Sequence, residues 1–143
     1  MFQILVVDDD RNTRMLLKAV LEAENYSVLT ASDGVEAMQV LDENHVDLVV
    51  LDVMMPNMDG YAFTKTLREG NDNLPILMIS ARQLPADKKK GFLVGTDDYM
   101  TKPIDEEAVL EACRDHRLIV TMEENVAAGG YGEKVLACIN AHR

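Results

Sequence analysis

Short apolar runs alternate along the chain with stretches in which apolar residues recur every three or four positions, and the alternation repeats five times. The first run, residues 2–7, reads as a strand and ends in Asp8-Asp9-Asp10. A helical stretch follows, with Met15, Leu16, Ala19, Val20 and Ala23 spaced to form one apolar stripe. Residues 26–31 predict a second strand. Ser32-Asp33-Gly34 opens a second helix whose Val35, Met38, Val40 and Leu41 face inward. The third run, Val46-Asp47-Leu48-Val49-Val50-Leu51, is apolar on both faces, as a strand buried between helix layers must be. It delivers Asp52 at its end, and the turn-forming Met54-Met55-Pro56-Asn57-Met58-Asp59-Gly60 follows.

Gly60 opens a third helix with Tyr61, Phe63, Thr64 and Leu67 on its apolar side. Leu74-Pro75 leads into a fourth strand, 76–79, ending at Ser80-Ala81. A Lys-rich helix over 86–94 ends at Gly95. The fifth strand, 97–100, is stopped by Thr101-Lys102-Pro103. A fifth helix begins at Asp105-Glu106-Glu107, where acids suit the positive end of the helix dipole. This rhythm predicts an α/β fold, a doubly wound parallel sheet with helices on its faces.

The pattern then continues past the fifth helix. Residues 118–122 read as a further strand, Gly129-Gly130-Tyr131-Gly132 as a flexible loop, and 133–142 as helical, with Val135, Leu136 and Ile139 in register. The expected organisation is a main domain over 1–116 and an added strand–helix tail over 117–143, packed on the same domain or exchanged with a second chain. That tail is too short for a DNA-binding output domain.

Composition narrows the function. The 143 residues are 48% hydrophobic, enough for one ordinary core. A net charge of −11 argues against gripping nucleic acid and suits a basic partner or a gathered cation. Cys113 and Cys138 have no metal-ligand spacing and read as reduced thiols. The N-terminal apolar run is too short for a signal peptide, and no run approaches a membrane span, so a cytoplasmic protein is expected.

The chemistry gathers at strand ends, where ligands of open α/β sheets bind. The first strand offers Asp8 and Asp9, and the third offers Asp52. Neighbouring strands would bring all three carboxylates to one edge, where their repulsion calls for a divalent cation with oxygen ligands. Lys102, after the fifth strand, can add a positive charge, and Ser80, after the fourth, a hydroxyl. A carboxylate nucleophile, a metal, an ammonium and a small donor are the equipment for phosphoryl transfer to an aspartate. Each residue also has an ordinary reading. The Asp run could cap a helix, Asp52 could form a turn, and Ser80 could cap a loop. Lys102-Pro103 could be an exposed turn, Gly95 a helix C-cap, and Met54, Met55 and Met58 packing. Four strand ends all carrying groups useful to one reaction favour the joint reading.

From residue 1 to about 112 the chain resembles a response-regulator receiver domain of two-component signalling, with a flavodoxin-like fold. The matching residues are Ile4-Leu5-Val6-Val7-Asp8-Asp9-Asp10, Leu51-Asp52-Val53-Met54-Met55-Pro56 with Asp59-Gly60, Ser80-Ala81, and Gly95-Thr96-Asp97-Asp98-Tyr99 through Lys102-Pro103. The resemblance implies that Asp52 is the phosphoacceptor, fed by a sensor histidine kinase or a small phosphodonor. It implies Mg²⁺ held by Asp9 and Asp52 directly, by Asp8 largely through water, and by the Met54 backbone carbonyl. Lys102 would pair with the phosphoryl oxygens. Ser80 and Tyr99 would form a switch pair, the hydroxyl moving toward the phosphate and the ring swinging inward. The altered surface, helix 4–strand 5–helix 5, would meet a downstream output protein or domain, or a second copy of the chain. Such a domain is not an enzyme beyond turning over its own aspartyl phosphate. Ile104 stands where Phe is common in the family.

The tail from Leu118-Ile119-Val120-Thr121-Met122-Glu123-Glu124-Asn125 to Gly129-Gly130-Tyr131-Gly132 resembles the last segment of 1-deoxyxylulose-5-phosphate synthase, a transketolase relative, and implies a chimera, natural or engineered. Two other functions compete. A haloacid-dehalogenase-like phosphohydrolase would use Asp8 as nucleophile and Asp10 as acid/base, with Ser80, Lys102 and Asp97-Asp98 in support. Asn12 then stands where Thr or Val is wanted, and Asp52 has no role. The other is an α/β scaffold that has kept the fold without its signalling output.

Overall fold

The computed structural model describes residues 2–70, 73–81 and 84–125, with side chains described as far as residue 116. Strands β1 (Gln3–Val7), β2 (Ser27–Ala31), β3 (Leu48–Asp52), β4 (Ile76–Ser80) and β5 (Asp98–Thr101) alternate with helices α1 (Arg11–Ala23), α2 (Gly34–Glu43), α3 (Gly60–Glu69), α4 (Pro85–Val94) and α5 (Glu106–Asn125). The strands form one parallel sheet in the order β2-β1-β3-β4-β5, the flavodoxin-like doubly wound arrangement. The chain steps one way from β1 to β2 and the other way from β2 onward. Right-handed crossovers therefore put α1 on one face and α2, α3 and α4 on the opposite face.

Register assigns the side chains to those faces. Leu5 pairs with Val49, Val49 with Ile76, and Met78 with both Leu51 and Tyr99. These residues join Ala37 of α2 and Tyr61, Phe63 and Leu67 of α3 in one buried cluster. The alternate positions Ile4, Val6, Leu48, Val50 and Leu77 are also buried, so both faces of the central strands are covered, as their unbroken apolar sequence requires. Local chemistry sets the helix ends. The Asp10, Asp33 and Asp59 carboxylates accept the Asn12, Glu36 and Ala62 N–H groups and cap α1, α2 and α3. Gly95 closes α4 in the left-handed region at φ 112°, as expected of a helix-ending glycine.

Three expectations are corrected. On α1 the sheet is met by Leu17 and Leu21, while Met15 and Leu16 are 57% and 44% exposed. Apolar residues occupy nearly every side of that helix, so spacing alone did not choose the face. On α2, Val35 is exposed and Ala37 is the buried contact; Met38, Val40 and Leu41 are half-buried. Finally, 118–122 is not a strand but continues α5. The run is rich in β-branched residues, yet no glycine or proline separates Glu106 from Asn125, and an uninterrupted helix extends through them. The sheet and first four helices form one compact unit ending at Glu106, and α5 begins a second. Among the described side chains of α5, Val109, Leu110, Ala112, Cys113 and His116 are buried, and burial pushes the Cys113 thiol up to about 12. The loop at 129–132, the helix at 133–142 and Cys138 lie outside the described residues.

Candidate functional site

The sheet order makes β1 and β3 neighbours, so the carboxylates that follow them share one edge. Asp8 and Asp52 are buried and Asp9 is exposed. One oxygen from each lies within 4.8 Å of the others. Asp10, the next residue, is not in this group. One of its oxygens accepts the Asn12 N–H and the other the Thr13 hydroxyl, and these bonds, the hydroxyl first, hold its carboxyl below the usual range. The acid run therefore divides the two readings its sequence allowed, with Asp10 as the helix cap and Asp8 and Asp9 left for the site.

Lys102 reaches the cluster from the end of β5. Its ammonium lies 3.3 Å from Asp8 Oδ2 and 3.6 Å from Asp52 Oδ1, and its backbone N–H donates to the Ser80 carbonyl at 2.7 Å. The Ser80 side chain is fully buried at the end of β4, paired in register with Thr101. The Lys102–Pro103 peptide is cis. Tyr99 is only 5% exposed, its ring inside the core cluster. Of the three methionines after Asp52, Met55 and Met58 pack against that cluster, whereas Met54 is exposed. The Met54 N–H donates to the Asp52 carboxylate.

One ammonium between two buried acids does not neutralise them. Burial, the largest cause, raises the Asp8 carboxyl above its ordinary value against the Asp10 N–H and Lys102. Burial first and the Asp8 charge second push Asp52 up to about 6. Burial also works against the Lys102 ammonium, but Asp52 and Asp8 outweigh it and hold Lys102 above its usual range. An ion pair commonly lowers its acid. Here desolvation and like charge win, which leaves the edge with uncompensated negative charge.

Two positions went unread in the sequence. Arg14 Nη1 donates to the Asp8 carbonyl at 2.7 Å and ties the acid-bearing turn to α1. An arginine six residues after a strand-end aspartate is the only trace of this. The second is the reason for Gly60. A Cβ there would lie 2.6 Å from the Asp52 carbonyl oxygen and 2.9 Å from Val53 Cα. With its N–H donating to the Val53 carbonyl at 2.9 Å, Gly60 seats α3 directly against the end of β3. Aspartate-glycine here caps a helix and also clears space for the Asp52 backbone.

The sequence profile of the family described as "Response regulator receiver domain" matches residues 4–114. The chain belongs to this family of phosphoacceptor signalling switches. It is 46% identical over 112 residues to the response regulator MprA of Mycobacterium sp. (strain KMS), covering 78% of this chain and 49% of that protein. It is 48% identical over 101 residues to the alkaline phosphatase synthesis transcriptional regulatory protein PhoP of Bacillus subtilis (strain 168), covering 71% and 42%. The chain thus spans about half the length of the curated relatives it matches. Among solved structures, the Francisella response regulator 1452 receiver domain superposes with a TM-score of 0.78 at 33% identity, covering 81% of this chain and 96% of that one. The Vibrio cholerae chemotaxis protein CheY4 gives 0.75 at 33% identity, covering 80% and 97%. A short, weak match to the profile "Transketolase, C-terminal domain" covers residues 96–143 and overlaps the receiver match; it assigns no activity. The phosphohydrolase alternative is not favoured, since Asp10 serves as a cap and Asp52 lies in the cluster. Among the described residues, no helix is long and apolar enough to cross a membrane.

Proposed function

We propose that Asp52 accepts a phosphoryl group from a phosphohistidine of a sensor kinase, or from a small acyl phosphate, in a Mg²⁺-dependent step. The observation that carries this reading is the Lys102 ammonium set between Asp8 and Asp52, with Asp9 close by. An Asp52 carboxylate oxygen attacks phosphorus, the phosphorus–nitrogen bond of the donor breaks, and its electron pair leaves with the imidazole. Lys102 then turns from its carboxylate partners to the phosphoryl oxygens, a charge-assisted contact. The donor set fits the metal, since clustered carboxylates in excess over one ammonium suit a hard cation with oxygen ligands. Asp8, Asp9, Asp52 and the Met54 carbonyl would hold Mg²⁺, which supplies positive charge opposite the transferred group.

Once Asp52 is modified, its added charge and acceptor oxygens attract the Ser80 hydroxyl, and Tyr99 repacks beside it. The changed surface of α4 and β5 engages an output protein or domain, or a second copy of the chain. The exposed Met15 and Leu16, with Arg11 and Lys18 on the same helix, offer the donor a surface beside the Asp8 turn. We assign the receiver domain to 1–116, with α5 running on into the tail at 117–143, and a cytoplasmic setting. The domain turns over no substrate beyond its own aspartyl phosphate. Acetyl phosphate with Mg²⁺ tests the reading. Label should enter the unmodified protein and vanish in Asp52→Asn. Label that survives there but disappears in Asp8→Asn would transfer the role to the phosphohydrolase chemistry.

A further inference from the structure

Helix α4 is weakly anchored. Leu84 gives its start no side-chain cap, and Gly91 is its one buried residue. Leu84, Phe92 and Leu93 are exposed. A segment with so little buried apolar surface opens or shifts most easily. At one end of α4 the Tyr61 hydroxyl donates to the Asp87 carbonyl at 3.1 Å, and the Lys90 ammonium sits 4.6 Å from the Tyr61 ring centroid. Val94 packs against the core cluster at the other end, and between the two ends α4 meets the sheet. A Cβ on Gly91 would lie 2.9 Å from Cδ2 and 3.2 Å from Cε2 of the Tyr99 ring, and 3.2 Å from Met78 Sδ. Met78 and Tyr99 are partners in register, side by side on that face. The bare Cα of Gly91 therefore rests on the ring itself.

We propose that Gly91 is a positioning residue for Tyr99. It admits the buried ring beneath α4 and so couples the ring's place to the helix's place. The second half of this inference, that the coupling tunes the response at Asp52, rests on the phosphoacceptor reading above. A methyl group at residue 91 must displace the ring, the helix or both, because the atoms it meets are a rigid ring and a neighbour in the core. Ring and helix then reach the arrangement of the modified state less readily.

The test is a double-mutant cycle on the full chain with Gly91→Ala and Tyr99→Ala. Fluorotyrosine NMR without any phosphoryl mimic reports the ring, with the Tyr99 resonance assigned by Tyr99→Phe. Titration of beryllofluoride with Mg²⁺ reports the response. Gly91→Ala should move the Tyr99 resonance toward a solvent-exposed value and weaken beryllofluoride binding roughly tenfold. In the Tyr99→Ala background the same substitution should change binding less than about twofold. Alanine is the better helix former, so a purely local effect would raise thermal stability. A loss of stability or of folding that Tyr99→Ala relieves is the signature of the contact. An unmoved resonance, or an equal effect of Gly91→Ala in both backgrounds, overturns the proposal. If the unmodified protein fails to bind beryllofluoride, the phosphoacceptor reading fails instead, and the ring resonance still decides the Gly91–Tyr99 contact.

Discussion

Replacing Asp52, the proposed phosphoacceptor, should stabilise the protein when no metal is bound. The Asp52 carboxyl is raised from its ordinary 3.8 to about 6 by burial and by Asp8. A raised acid binds its proton more tightly in the folded state than in the unfolded one. Its contribution to stability is therefore complete below about pH 4 and lost as pH rises through about 6. At about 1.4 kcal/mol per pH unit, ionised Asp52 costs the fold about 3 kcal/mol at pH 7, and the attraction of Lys102 is already contained in that net figure. Asp52→Asn removes the charge, keeps an acceptor for the Met54 N–H, and leaves Lys102 its Asp8 partner at 3.3 Å. The variant should be more stable than the parent by up to about 3 kcal/mol at pH 7, or on the order of 5–10 °C in Tm, with the gap closing toward pH 4.

Urea denaturation in a chelating buffer from pH 4 to 8 measures this directly. Mg²⁺ at about a thousand times its Kd should then reverse the order, because on the proposed ligand set it adds about 4.1 kcal/mol to the parent and less to the variant. An Asp52→Asn protein that is no more stable than the parent at pH 7, or a gap that does not vary with pH, would refute the electrostatic account of the site.

Other substitutions separate the roles. Lys102→Ala should destabilise the metal-free protein at pH 7 by about 2 kcal/mol, by leaving two buried acids without their cation. It should leave Mg²⁺ binding intact while suppressing labelling by acetyl phosphate. Asp9→Ala, at an exposed position, should weaken Mg²⁺ about tenfold by calorimetry and slow labelling, with stability in chelator unchanged within about 0.5 kcal/mol. Gly60→Ala should cost about 1–3 kcal/mol in urea denaturation through its clash with the Asp52 backbone, and should reduce labelling with every site carboxylate in place.

Legibility followed the range of the signal. Strands β1, β3 and β4 were plain because both faces are buried and the sequence is apolar without a break. The opening of α2 at Ser32-Asp33-Gly34 and the end of α4 at Gly95 were plain because each is decided within a turn of chain. Asp8, Asp9 and Asp52 could be brought together because β1 and β3 are neighbours, whereas Lys102, two strands away from β3, reaches them through the length of its side chain. Helix faces were harder. Met15, Leu16, Leu17, Ala19, Val20 and Leu21 are apolar on nearly every side of α1, and only the sheet decides that Leu17 and Leu21 go inward. The stretch at 118–122 was misread because side-chain branching was weighed above the missing breaker. Arg14's bond to the Asp8 carbonyl and Gly60's clearance of the Asp52 carbonyl are side-chain and steric facts that appear only once the chain has closed on itself.

The acid that destabilises the metal-free fold is the one the proposed chemistry needs. With a pKa of about 6, Asp52 is ionised about ten to one at pH 7, so the attacking form is abundant. A fully solvated aspartate would be ionised as well, but its oxygens would be less basic and its charge already satisfied by water. A stronger rise would leave it protonated and inert. Lys102 holds the balance, since without its ammonium the Asp8 and Asp9 charges would push Asp52 further up. The same imbalance prepares the site for a cation and for a phosphoryl group, because each brings or recruits the positive charge that three acids and one ammonium lack. On the proposed function, stability given up at this edge in the resting protein is recovered on binding and modification, and that difference in free energy is available to shift α4 and β5.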